Sequence, residues 1–438
     1  LEGAAIEEYQ AVTIDHDDAY VLRLLGADPR STCVITSSAP AHQDTEGLED
    51  VLGDLVAERV GADETAKPGA LPRERRSEIM SARARVPGLF RRLIRLDHVD
   101  LMWKTRWSPN GIELVEGEIA PTPDGWARLH VTGCGICGSD LHIYRGMKAG
   151  ELTPSDYDVP GHEIAGTLVD GPPGLPDVVY VIEPWISCNG CAHCLRGRPT
   201  LCQDSQLLGI NAQGGLAEYV DIPTRLLHPV PDGVSESVAA MAEPWAVAVR
   251  TIHRARLSEL DQRVLILGGG TIGLLCGIAA RNRAARVGIT CRYPHQTDLA
   301  LRFGLEPIQP DELDDWAAEH EPGVVIETVG GEAETVADAV RTAGPGGRIV
   351  VVGVFATPRP TDYFSVILKE LEITGSFIYG RVRSGSEFRA AVDLMPRIAD
   401  ELQALQTHHF PLTNVAEAFA TVDDKTSPTV KVTIGTNS

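Results

Sequence analysis

Between residues 261 and about 376 the chain alternates short apolar runs with amphipathic stretches. RVLILGGG, RVGITC, GVVIETVG and GRIVVVGVF are separated by TIGLLCGIAARN, HQTDLALRFG and later polar segments. That rhythm predicts strands joined by helices in a parallel, doubly wound sheet. From Ile112 onward short apolar runs mix with Gly and Val, which predicts a β-rich domain. After Phe377 a helical stretch is expected at Glu387–Ile398 and a last strand at Thr429–Ile434, returning the chain to the β-rich domain. Before residue 100, Leu48–Val60 and Val86–Leu96 carry apolar residues at helical spacing. No internal repeat or low-complexity tract interrupts these patterns.

Composition alters this picture mainly at the N-terminal side. Residues 1–66 hold 15 Asp and Glu against three Arg, whereas 70–106 hold ten Lys and Arg against four acids. ADETAKPGALPRERR between them reads as a linker or exposed turn. The basic stretch could be a nucleic-acid arm or a membrane-surface helix, but docking against acidic surface of the same chain is the simpler expectation. Nothing in residues 1–98 carries a chemical motif. A net charge of −22 over 438 residues argues against non-specific nucleic-acid binding and anionic membranes. The longest uncharged run, Val264–Ala280, contains five glycines and is too short for a comfortable membrane span. The opening LEGAAIEEYQ lacks the zones of a signal peptide, and nine cysteines fit a reducing cytoplasm.

The candidate chemistry begins with those cysteines. Cys188, Cys191, Cys194 and Cys202 lie in CNGCAHCLRGRPTLC, a spacing that can close a tetrahedral thiolate shell around a structural zinc with no position left for water. Disulfides are the alternative, disfavoured by the absence of a secretory signal. A second site draws on Cys137 in CGICGSDLH, His162 and Glu163 in PGHEIAG, and Glu243 in AAMAEPWAVAV. One thiolate, one imidazole and one carboxylate with an open position have the composition of a catalytic zinc, which polarises a substrate oxygen for hydride transfer.

Gly268, Gly270 and Gly273 form G-x-G-x-x-G after a predicted strand, and Thr271 and Ile272 open the following helix. That arrangement places a helix N-terminus and close backbone amides against a dinucleotide pyrophosphate. Val329 and Gly353, near the ends of later strands, are further candidate cofactor contacts. The strand RVGIT runs into Cys291-Arg292-Tyr293, without the carboxylate that accepts from an NAD ribose. Arg292 could clasp a 2′-phosphate, so NADP is expected in preference to NAD.

CGICGSDLH, GHEIAG, the four-cysteine loop, AEPWAVAV and GGGTIG stand in the order found in the zinc-containing medium-chain dehydrogenase/reductase family, which residues 103–438 resemble. The resemblance implies a GroES-like catalytic domain over 99–246, an inserted Rossmann domain over 247–376, a return to the catalytic domain over 377–438, and an N-terminal extension over 1–98. It implies two zinc ions per chain, Asp140 orienting His162, and Ser139 with His142 as a proton relay. Cys134 matches no ligand position. Glu243 stands where simple alcohol dehydrogenases carry a cysteine, which points to a polyol, cyclitol or amino alcohol; Trp185 and Trp245 would shape the substrate pocket or fill the core. The degraded segment before the four-cysteine loop, LPDVVYVIEPW, leaves its turn open. The expected protein is a cytoplasmic homo-oligomer that transfers hydride between a secondary alcohol or ketone and NADP. NAD-dependent oxidation of a simple alcohol or threonine, or a non-catalytic binding role, are the alternatives.

Overall fold

The computed structural model describes the backbone of strands 9–14, 17–23 and 32–37, then residues 100–108, 111–146, 159–257, 263–284, 286–355, 357–382, 385–424 and 426–436. The helical readings at 48–60 and 86–96, and the linker between them, lie outside these residues. The chain divides into two compact units, Leu1–Asp100 with Ser438, and Leu101–Asn437.

In the first unit β1 (Tyr9–Ile14), β2 (Asp17–Arg23) and β3 (Thr32–Ser37) form an antiparallel sheet in sequence order. Tyr9 pairs with Leu22 and Asp18 with Ser37. YQAVTI and TCVITS are rich in β-branched residues, which suit a pleated surface.

β4 (Asp100–Ser108), which lies in the second unit from Leu101 on, pairs with β5 (Gly111–Ile119) in a two-stranded sheet. β6 (Trp126–Gly135) alternates half-buried and buried positions, with Ala127, Leu129 and Val131 inside, as period-two patterning requires. It pairs with β7 (Glu163–Asp170), and β8 (Val179–Ile182) follows. A small ladder of β9 (Trp185–Ile186) and β10 (Gln206–Leu207) brackets the four-cysteine loop. β11 (Tyr219–Pro223) and β12 (Leu227–Pro229) complete this part of the sheet.

Five further strands, β13 (Arg263–Leu267), β14 (Arg286–Thr290), β15 (Glu306–Ile308), β16 (Val324–Glu327) and β17 (Arg348–Val351), join β18 (Glu372–Gly375) in one parallel sheet. Their order is β15-β14-β13-β16-β17-β18, the doubly wound order with a reversal between β13 and β16. Both faces are covered, so the strands read as continuous apolar runs. Val264 and Ile266 enter one core, Leu265 and Leu267 the other. The first core also contains Ala165, Val181, Trp245 and Phe388, so it binds the parallel sheet to the β-rich part.

After a short ladder of β19 (Arg381–Val382) and β20 (Gly385–Ser386), the chain returns. β21 (Gln406–Pro411) and β22 (Lys431–Gly435) close the first sheet, with β22 pairing β6. The expected helix over 387–398 runs as an α-helix only over Glu387–Leu394, then tightens to a 3₁₀ turn at Met395–Arg397. Pro396 lacks the N–H needed to continue it. The last strand starts two residues later than expected, after a turn in which the Asp424 carboxylate accepts from Thr426 N at 2.8 Å.

Candidate active site and metal clusters

The four-cysteine loop is organised by its own backbone. Asn189 takes φ 57° between Cys188 and Cys191, a left-handed turn that Asn tolerates. Cys191 caps the short helix Ala192–Leu195, its Sγ accepting from Cys194 N at 3.5 Å. Cys191 N donates to Cys188 Sγ at 3.3 Å, and Cys188 N to Cys202 Sγ at 3.4 Å. Amides aimed at sulfur favour thiolates, and those of Gly190 and Cys191 hold the Cys188 thiol down at about 7. Burial instead pushes Cys202 up to about 12. The four sulfurs lie within 4.8 Å of one another. Such a donor set fits a tetrahedral zinc.

The second cluster is assembled across the fold. Cys137 is the N-cap of the helix Gly138–Tyr144 that follows β6, and its N–H donates to Asp140 Oδ2 at 2.9 Å. His162 and Glu163 lie at the start of β7. Ligand atoms of Cys137, His162 and Glu163 fall within 4.8 Å of one another. Burial would lower the His162 imidazole, but the Cys137 thiol and the Asp140 and Glu243 carboxylates raise it well above 6.5. His162 Nδ1 and Asp140 Oδ1 are both buried without a hydrogen-bond partner among the described residues. A thiol, an imidazole and a carboxylate crowded together, with orphaned atoms beside them, fit a divalent cation better than a neutral core.

Glu243, on the first turn of the helix Ala242–Ala255, is buried nearby but is not part of that three-residue group. Burial pushes its carboxyl up to about 7, with Glu163 adding to the rise and His162 opposing it. Ser139 Oγ is buried and unpartnered. His142 is half-buried, and burial together with Arg145 holds it below 6.5. Cys134 is fully buried, its thiol donating weakly to Gly135 O. Trp245 fills the core and donates to Ala391 O at 3.0 Å, whereas half-buried Trp185 stacks edge-on against exposed Phe377.

Lys431 was missed in the sequence. It is buried on β22, its Nζ donating to both Glu163 oxygens at 2.6 and 2.7 Å and to Ile136 O at 3.0 Å. Burial would lower its pKa, but Glu163 more than offsets this. A lone lysine opening the apolar run KVTIG was the available signal.

The glycine-rich turn meets the same cleft. Gly268 has φ 113°, and a Cβ on Gly273 would run into the Gly268 carbonyl oxygen. Gly270 caps the helix Thr271–Ala280, whose first amides have no partner within the helix. Thr271 Oγ1 donates to Val430 O at 2.7 Å, fastening this helix to the segment that carries Lys431. A cavity of about 280 Å³ is lined by Cys137, Glu163 and Lys431 on one side and by Gly270, Ile272 and Thr328 on the other.

Thr290 ends β14, and its Oγ1 accepts from Gly268 N at 2.8 Å. Cys291, the next residue, is fully buried. Arg292 is exposed beside Tyr293, which lines the cavity. Val329 is exposed and Gly353 packs against Gly330, both at the same strand ends.

Residues 123–232 match the alcohol dehydrogenase GroES-like domain and residues 271–397 the zinc-binding dehydrogenase domain. A 2-dehydro-3-deoxy-L-galactonate 5-dehydrogenase from Pseudoalteromonas atlantica is 30% identical over 71% of this chain and 92% of that protein. The chain belongs to the zinc-containing medium-chain dehydrogenase/reductase family. Among solved members, a zinc-binding dehydrogenase from Sinorhizobium meliloti bound to NADP superposes with a TM-score of 0.69 at 28% identity, covering 77% of this chain and 99% of that one. L-Idonate 5-dehydrogenase from Escherichia coli superposes at 0.68 with 27% identity, covering 77% and 99%. As a member of this family the chain is a zinc-dependent alcohol or polyol dehydrogenase that uses a nicotinamide cofactor. Among the described residues no helix is long and apolar enough to cross a membrane.

Proposed function

We propose that this dehydrogenase moves a hydride between NADP and a secondary alcohol or ketone on a polyhydroxylated small molecule. The observation that carries the reading is the shared cavity, in which Cys137 and Glu163 face Gly270, Ile272 and Thr328. Cys137, His162 and Glu163 would hold the catalytic zinc, with Glu243 as a carboxylate in reserve, and the four-cysteine loop a second, structural one. When bound, the catalytic zinc supplies Lewis-acid polarisation of the substrate oxygen.

The chain's own residues do the rest. Ser139 Oγ, buried without a partner, takes the proton of the substrate hydroxyl, and the largely neutral His142 ring passes it outward. Asp140, whose charge acts on the His162 imidazole, would orient it, and Lys431 holds Glu163 in place. The amides of Gly270, Thr271 and Ile272 take the pyrophosphate, with Gly268 and Gly273 permitting the turn. Val329 and Gly353 flank the nicotinamide end. Arg292, with no carboxylate beside it in Cys291-Arg292-Tyr293, would take the 2′-phosphate. A relative acting on a deoxy-galactonate and a solved neighbour acting on idonate support a polyhydroxylated substrate.

The domain boundaries fall at 1–98, 99–246, 247–376 and 377–438. The protein would act in the cytoplasm as a homo-oligomer. Tyr363, Phe364, Ile367 and Leu368, between 68% and 72% exposed on one short helix, support self-association. Turnover of NADP⁺ and NAD⁺ against polyols, sugar acids, amino alcohols and simple alcohols tests the reading. Reduction of NADP⁺ with one polyhydroxylated substrate would support it. Turnover confined to NAD⁺ and a simple alcohol or threonine would overturn it.

A further inference from the structure

A buried carboxylate with no part in either cysteine cluster ends strand β16. Glu327 is 0% exposed, and among the described residues no Lys or Arg pairs with it. Its Oε1 accepts from Val329 N at 2.8 Å, Gly330 N at 2.9 Å and Thr335 Oγ1 at 2.7 Å. Its Oε2 accepts from Gly353 N at 3.2 Å. A buried carboxylate without a cation depends on such donors, and they in turn are held to it.

The donors sit where a ligand would arrive. β16 lies beside β13 at the reversal of strand order, and open α/β sheets bind ligands beyond the strand ends there. Thr328 lines the cavity shared with Cys137, and its Oγ1 donates to Leu267 O at 2.8 Å, tying the segment to the glycine-rich turn. Gly330 and Gly331 both have φ 63°, and Gly331 N donates to Val354 O at 2.7 Å. A Cβ on Gly330 would strike Gly353 and Val354, and one on Gly331 would come within 3.8 Å of His142 Cε1. One carboxylate thus fixes a segment spanning the glycine-rich turn, the end of β17 and the side of His142.

We propose that Glu327 is a positioning residue for the nicotinamide end of the dinucleotide. It holds the amides of Val329, Gly330 and Gly353 so that residues 328–331 form a fixed wall for the ring, while the adenine end depends on other groups. The inference rests on the dehydrogenase reading, though not on NADP over NAD. In Glu327→Gln the side-chain amide would meet a backbone N–H donor against donor, freeing part of the wall.

The test titrates NADPH and NADH onto zinc-loaded, full-length protein, reading the emission of the bound nicotinamide. ADP-ribose and its 2′-phosphate, which lack the nicotinamide, are titrated in parallel. Glu327→Gln should weaken both dinucleotides about tenfold or more and change the bound emission, leaving the fragments within about twofold. Thr335→Val removes one donor and keeps the charge; it should show the same pattern at a few-fold, and serves if Glu327→Gln does not fold. Unchanged dinucleotide affinity in the folded variants would overturn the proposal. So would equal loss for fragments and dinucleotides, since that marks a general structural role. Wild-type protein that binds neither dinucleotide would overturn the dehydrogenase reading and this proposal with it.

Discussion

The four-cysteine loop takes its donors from one stretch, Cys188 to Cys202, shaped by an Asn189 turn, a cysteine N-cap and amides pointing at sulfur. The Cys137 cluster joins a helix cap after β6 to the start of β7, and its carboxylate is gripped by Lys431, which lies 268 residues further on. The loop is largely solvent-facing, with Cys188 exposed; His162, Glu163, Glu243 and Lys431 are all buried. A locally determined cluster can form with little help from the rest of the fold. A buried cluster of opposite charges holds only while every partner is in place, because an unpaired charge there has no water to turn to.

That contrast makes the largest expected effect a kinetic one. Cys137→Ser or His162→Ala should cut turnover well beyond the roughly 10–100-fold typical of losing a group behind a metal ligand, while metal content falls by about one equivalent. Turnover and metal content both unchanged would mean that the buried cluster is not the reaction centre. Cys202→Ala should act in the opposite sense. Loss of the loop's metal should lower stability by about 2 kcal/mol or more, roughly 4–8 °C in Tm for a domain of this size, with turnover per folded molecule largely kept. A variant that loses activity without losing stability would erase the distinction.

A metal-free cluster sharpens the point at smaller scale. Buried Glu387 accepts from Arg250 Nη1, His253 Nδ1 and Gly380 N at 2.9, 2.9 and 2.7 Å. Burial would raise its carboxyl, but His253, the Gly380 amide and Arg250 hold it below 4.5. A depressed folded value means that its contribution is full above 4.5 and is lost as pH falls through the folded value. Glu387→Gln should cost roughly 1.5–3 kcal/mol near neutrality and flatten the acid limb of a urea-unfolding series. An unchanged acid limb would mean that the charge contributes nothing. Smallest is the solvent-facing Arg292. Arg292→Ala should lose about tenfold in NADP affinity, near 1.4 kcal/mol, with NAD little altered. Equal effects on both cofactors would end the phosphate assignment.

The same contrast explains what was legible beforehand. The parallel sheet announced itself because its strands are covered on both faces, as RVLIL and VVIE are. The four cysteines and the glycine-rich turn were readable because their chemistry is a matter of spacing along a few residues. Alternation alone did not say which residue at the end of β14 bonds the glycine-rich turn; the structure shows Thr290 doing so. The three N-terminal strands were not legible because runs of six or seven residues such as YQAVTI carry too little pattern to mark a sheet without their pairing partners.

From the sequence by itself came the family, the fold class and the residues proposed to hold metal and dinucleotide, all carried by short motifs whose geometry is local. Only the tertiary structure decided that Glu163 is clasped by Lys431, that Glu243 stands beside the three-residue group and outside it, and that Glu327 anchors the wall next to His142. Glu163 and Glu327 are buried carboxylates whose partners come from a distant strand or from backbone amides. Residue type does not encode backbone amides, and spacing does not encode a partner hundreds of residues away.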